Sequence, residues 1–190
     1  MTAHDQQSLP SSEQRERILG ERTRELARRA RSLAPRDPTA SGEPFLVCAV
    51  GRNRYGLRLP AVAAVLAWRP CTPAAQAGGA AIGLFAHEGR TISALDLAAL
   101  LGLPVRDETS PGCFVLLKGG EPRIALRVDD ALAVAALKAD DTAGGLATDE
   151  GSAFATGYAP MAGAAGPMLV ALLDLDRVLR PFAPILASGV

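Results

Sequence analysis

Any chemistry in this chain has to come from His4, His87, Cys48, Cys71, Cys113 or its paired carboxylates, so their spacing is read first. His4 lies in a polar leader and His87 at a predicted strand edge, and neither has a second His, Cys or carboxylate at metal-ligand spacing. The three cysteines are an odd number without CxxC spacing, which predicts reduced thiols used as small apolar residues. Asp129-Asp130 and Asp140-Asp141 are adjacent, so on a strand each pair points to opposite sides and does not converge on one substrate. Asp174 and Asp176 flank a predicted helix start, where carboxylates cap free amides and complement the dipole. Gly78-Gly79, Gly119-Gly120 and Gly144-Gly145 lack the Lys-Ser/Thr or the helix start that a phosphate site needs, and they read as turns. No GxSxG, P-loop or strand-then-GxGxxG pattern is present. The expectation is a protein with no catalytic residues, no metal site and no cofactor.

The elements that would carry these residues fall into two regions. Ser11 to Ala34 reads as a helix, with Ser11 and Gln14 at capping-box spacing and Ile18, Leu19, Leu26, Ala30 and Leu33 forming a narrow apolar stripe. Seven arginines against four glutamates give this segment a net charge of 7 − 4 = +3. The stretch APRDPTASGEP then stops the helix. From Phe45 the pattern changes to short strands. Phe45–Val50 is apolar on both faces, whereas Tyr55, Leu57 and Leu59 alternate with Gly56 and Arg58 as a strand with one wet face. Pro60–Trp68 begins a third strand or a helical turn running into one, and Pro70–Gly79 is loop. Ile82–Glu88 and Arg90–Leu95 pair around Gly89, and Asp96–Leu101 is a short helix capped by Asp96 and stopped by Gly102.

The second half repeats this order. FLVCAVGRNRYGLRLPAVAAV is echoed by FVLLKGGEPRIALRVDDALAV, and AIGLFAHEGRTISALDLAALL by ATGYAPMAGAAGPMLVALLDLDRVL. Gly83 matches Gly157, and Asp96-Leu97 matches Asp174-Leu175. Five short strands do not bury both faces as an open sheet, so each copy is expected to curl into a small barrel, the two packed side by side. Leu126, Val128, Leu172 and Leu173 are expected in the core.

Composition sets the outer limits. The chain has 190 residues, is 48% hydrophobic and balances 20 basic against 20 acidic residues, so net charge argues for neither nucleic acid nor an anionic membrane. No apolar run reaches about 18 residues, and MTAHDQQSLP lacks the charged start and apolar centre of a signal peptide. A cytoplasmic protein that does not insert in the membrane is expected.

Residues 45–179 resemble the CheW-like domain of bacterial chemotaxis adaptors and of the kinase CheA. The segments that carry the likeness are RYGLRLPAVAAVL, IGLFAHEGRTISALDLAALLGLP, RIALRVDDALAV and LVALLDLDRVL, in that order. The second is similar to the family signature Gly-x-x-x-x-Arg-Gly-x-x-x-Pro-x-x-Asp-Leu, which Gly83, Gly89, Asp96 and Leu97 fit. The resemblance implies a mainly β fold, two tandem five-stranded SH3-like barrels sharing a hydrophobic interface, with short helices. It divides the chain into an N-terminal helical extension and linker (1–42) and a CheW-like domain (43–185, halves 43–111 and 112–185). It also implies a non-enzymatic adaptor between a CheA-type histidine kinase and the cytoplasmic tips of methyl-accepting chemoreceptors, stationed in the cytoplasm at receptor arrays. The partner-docking residues it points to are Gly83, Glu88, Gly89, Ala64 and Arg90.

Three positions depart from the pattern. Glu88 stands where the signature has arginine, Ser93 where it has proline, and Ala64 where an acidic residue is frequent. A reversed charge at a docking contact exchanges attraction for repulsion and can remove a usual partner. The competing readings are a CheW-like module redirected to a non-chemotaxis partner or to self-assembly, and a double barrel with a deep polar pocket for a small molecule. The 11–34 helix is either a solvated arm or a docking element.

Overall fold

The computed structural model describes residues 42–73, 79–105, 112–140, 153–163 and 166–182. The predicted 11–34 helix, the linker up to residue 41, His4, Gly78, Asp141 and Gly144-Gly145 lie outside them, while the last two linker residues, Glu43 and Pro44, begin the first strand. Among the described residues ten strands form: β1 (Glu43–Val50), β2 (Asn53–Arg58), β3 (Val62–Ala67), β4 (Ala81–His87), β5 (Arg90–Asp96), β6 (Cys113–Leu117), β7 (Arg123–Val128), β8 (Asp130–Leu137), β9 (Ala155–Gly163) and β10 (Gly166–Leu173). Two short helices, α1 (Leu97–Leu100) and α2 (Leu175–Leu179), follow β5 and β10.

The strands make two five-stranded sheets, β8-β1-β2-β10-β9 and β3-β6-β7-β5-β4. Each is closed by a bridge just outside its last strand. Asp140 bonds to Tyr158 beside β8 and β9, and Thr72 bonds to Leu84 beside β3 and β4. The mainly β, double-barrel expectation is met, with one correction. The barrels do not divide at the repeat boundary, because each copy gives its first two strands to one barrel and its last three to the other. The physical reason lies in two parallel pairings, β2 with β10 and β5 with β7, which join strands from different copies.

Side-chain alternation explains the exchange. On β1, Phe45 and Val47 enter the core of the first barrel with Val170 and Leu172, while Leu46, Cys48 and Val50 face the other way and are also buried. On β6, Phe114 and Leu116 enter the second core with Phe85 and Ile92, while Val115 and Leu117 face away and are buried. Strands apolar on both faces need cover on both sides, and the second faces supply a seam where β1 meets β7 and β6 meets β8. Leu57 and Leu126, equivalent in the two copies, are fully buried. Each such side chain contributes about 1.5–3 kcal/mol by leaving water. Leu126, Val128, Leu172 and Leu173 are all buried as expected.

β2 differs from the sequence reading. Its centre, Tyr55–Leu57, has no wet face, because Gly56 points into the first core against Leu172, Phe45 and Val170. A glycine that looks polar by alternation is here a point of close packing. Leu59 belongs to a 3₁₀ turn (Leu59–Ala61) that leads the chain from the first sheet into the second.

Candidate docking surface

The sequence-predicted docking residues sit on one sheet but not at one place. Glu88, Gly89 and Arg90 are together at the β4–β5 hairpin tip, where His87 pairs with Arg90 across two loop residues. Glu88 (φ 50°) and Gly89 (φ 72°) both have left-handed backbone, the geometry of a type I′ turn. An added Cβ on Gly89 would meet nothing within 4 Å, so this glycine serves backbone conformation rather than close packing. Glu88 carries the strained conformation without that freedom, and its side chain is 82% exposed. Its neighbour is His87, with Nε2 at 3.8 Å. The Arg90 guanidinium donates to Glu121 Oε1 at 2.8 Å across the solvent-exposed rim.

Gly83 and Ala64 lie within the barrel wall. Gly83 (φ 146°) stands where Thr72 crosses to close the sheet, and a Cβ there would collide with the Thr72 carbonyl oxygen. The flanking Thr72–Leu84 pair exchanges two hydrogen bonds of 2.8 Å. The equivalent Gly157 stands beside the other closing bridge, where a Cβ would come within 3.0 Å of the Ala139 methyl. Ala64 pairs with Leu116 on β6 and packs against the second core, so the side chains that β3 shows to solvent are Ala63, Val65 and Ala67.

At the opposite end of β5, parallel pairing sets Asp96 beside Arg127, both nearly buried. Asp96 Oδ1 accepts from the Ala99 amide at 3.0 Å, the cap predicted for α1, while Oδ2 is 3.7 Å from the Arg127 guanidinium. Burial pushes the Asp96 carboxyl above the usual carboxylate range, against the lowering effects of the Ala99 amide and Arg127. At 3.7 Å the guanidinium is beyond the short range of a charge-assisted hydrogen bond, so it offsets burial only in part. The sequence reading missed Arg127, because the only signal was its place in the repeated LR motif, shared with Arg58. Arg58 itself is exposed and paired to Glu43 at 2.6 Å. Asp174 caps α2 through the Asp176 and Arg177 amides, as its spacing predicts.

Two cavities lined by described residues bear on small-molecule chemistry. The cleft lined by Asp96, Arg127 and Asp129 encloses about 10 Å³, room for a single water. A larger one of about 440 Å³ opens at one end of the first barrel over Phe45, Leu137 and Leu172, with Arg58, Glu43 and Lys138 at its rim. Neither is lined by a histidine or cysteine. Cys48 is buried, and burial pushes its thiol far above the ordinary range, which leaves it a small apolar residue. Among the described residues no group of three His, Cys, Asp or Glu could hold a metal ion. No helix among them is long and apolar enough to cross a membrane.

Comparison with known proteins agrees with this architecture. In the solved structures, the chain is similar to the scaffolding protein TtCheW from Thermoanaerobacter tengcongensis, with a TM-score of 0.59 at 16% identity, over 76% of this chain and 92% of that one. At that identity the likeness speaks for the fold. No curated protein matches the chain. The family model for the CheW-like domain matches residues 44–182, which takes in all ten strands and both short helices but for the first residue of β1. With two closed barrels, their exchanged strands and this match over most of its length, the chain belongs to the CheW-like family.

Proposed function

We propose that this chain is a non-enzymatic scaffold that couples the cytoplasmic tips of methyl-accepting chemoreceptors to a CheA-type histidine kinase, working in the cytoplasm at receptor arrays. The observation that carries the reading is the family match across residues 44–182, supported by a fold shared with a scaffolding protein. A strand-built body suits a scaffold physically, because rigid strands hold exposed turns in place and little ordering cost is incurred on binding. The docking module is residues 43–185, with 1–42 as an extension. Contact is made at the Glu88–Gly89–Arg90 tip, with Gly83 and Ala64 shaping the wall behind it. The test is co-sedimentation of the purified chain with a CheA-type kinase and receptor signalling fragments, read together with kinase autophosphorylation. Incorporation of the chain and altered kinase activity are expected; neither binding nor any change in activity would sink the reading.

Glu88 favours a second reading, a module redirected to another partner. Its carboxylate is exposed and set in a left-handed turn, and the adjacent Arg90 is engaged with Glu121. Glu88→Arg separates the two: a gain in kinase or receptor affinity means ancestral docking altered by charge, and unchanged affinity means the tip is not the docking site.

A further inference from the structure

Asp129 is the one residue between β7 and β8, where the chain leaves the second barrel for the first. There it is bonded twice to the β1–β2 hairpin of the first barrel. Its amide donates to the Ala49 carbonyl at 3.0 Å, and its Oδ2 accepts from the Gly51 amide at 2.7 Å. The turn held in this way carries Arg52, which is exposed, and Arg54, whose guanidinium donates to the Arg52 and Asn53 carbonyls of the same turn.

The cleft beside Asp129 is lined by Val50 and Gly51 from the first barrel and by Asp96 and Arg127 from the second. Asp96 and Arg127 are nearly buried and 3.7 Å apart, and Asp129 is half-buried. Among the described residues, Arg127 and Asp129 are the charged groups that act on the Asp96 carboxyl. The facing turn also carries Arg52 and Arg54, and neither is among those groups. The other groups bonded to Asp96, the Ala99 amide of α1 and the Ala80 carbonyl, bring no net charge. Two carboxylates therefore share a largely buried cleft with one guanidinium. An ionised Asp96 repels Asp129 and competes with it for Arg127, and a neutral Asp96 does neither.

We propose that Asp96, Arg127 and Asp129 form a proton-controlled tie between the two barrels. With Asp96 a neutral acid, Asp129 holds the Gly51 turn firmly; with Asp96 ionised, repulsion between the two carboxylates loosens that hold. Only the Asp96 proton is exchanged, and Asp129 stays the acceptor in both states. Burial raises Asp96, so the change falls above the ordinary carboxylate range. The tie is firm below that raised value and weakens as pH rises through it. An exposed turn bearing Arg52 and Arg54 on the first barrel is thereby governed by a carboxyl seated in the second.

An NMR titration of the full chain from acid to neutral pH tests the tie, following the Asp96 carboxyl carbon together with the Gly51 and Ala99 amides. The Gly51 amide is expected to move with the midpoint of Asp96, losing its hydrogen-bond shift as Asp96 ionises. Asp96→Asn keeps the cap of α1 and should abolish that step at Gly51. Asp129→Asn should leave the Asp96 step in place and lower its midpoint, because a repelling charge is gone. The wild-type titration decides by itself should either variant fail to fold. A Gly51 amide that stays still while Asp96 titrates, or a Gly51 step that persists unchanged in Asp96→Asn, would overturn the proposal.

Discussion

Glu88 sits in left-handed backbone at the tip of a hairpin, where glycine or asparagine would fit at lower cost. Glu88→Gly is therefore expected to raise stability by up to about 1 kcal/mol, seen as a higher melting temperature. Glu88→Arg keeps the strain and should leave melting unchanged while altering binding. Together the two variants separate conformation from charge at one position. Asp96 supplies a second residue-scale prediction. Burial raises its carboxyl, so the folded chain holds this proton more tightly than the unfolded chain does. The stability it contributes is complete below the ordinary carboxylate range and is lost as pH rises through the raised folded value. Asp96→Asn keeps a capping side chain and removes the titration. Unfolding by denaturant should find it equal to wild type in acid, and more stable as the pH is raised towards neutrality. A variant less stable than wild type at neutral pH would mean that the Arg127 attraction outweighs burial.

At the scale of elements, the barrels depend on how each is closed. Gly83 combines a positive φ with a collision at the Thr72 backbone, whereas Gly157 lacks the strained φ and faces only the Ala139 methyl. Gly83→Ala should cost more than about 2 kcal/mol and Gly157→Ala clearly less, as measured by denaturant midpoints. Equal costs would show that closure tolerates a side chain at both places. Leu57 and Leu126 hold equivalent, fully buried positions on β2 and β7, and truncation of either to alanine is expected to cost about 2–5 kcal/mol. Much at this scale was legible in the chain. Helix caps at Asp96 and Asp174 and the turn around Gly89 follow from short-range chemistry, and so do most strand limits. The inward Gly56 and the Asp96–Arg127 pair did not, because a neighbour distant in sequence decides each.

For the whole molecule, strand exchange has a direct consequence. Each barrel needs strands from both copies, so residues 43–111 and 112–185 expressed apart should each lack a closed sheet. Neither half is expected to give a dispersed NMR spectrum alone, and mixing them should restore one. Two independently folding halves would contradict the exchanged topology. What the amino-acid order determined by itself was the set of parts: ten short strands, two capped helices and an internal repeat whose blocks resemble one family. These follow from alternation, turn residues and self-similarity, all readable within a few residues. Only the tertiary structure decided which strands share a barrel, and that Gly83 and Gly56 are points of close approach. The reason is that a strand's pattern states how many of its faces want cover without naming what covers them. Parallel partners such as β2 and β10, more than a hundred residues apart, are chosen when the cores close.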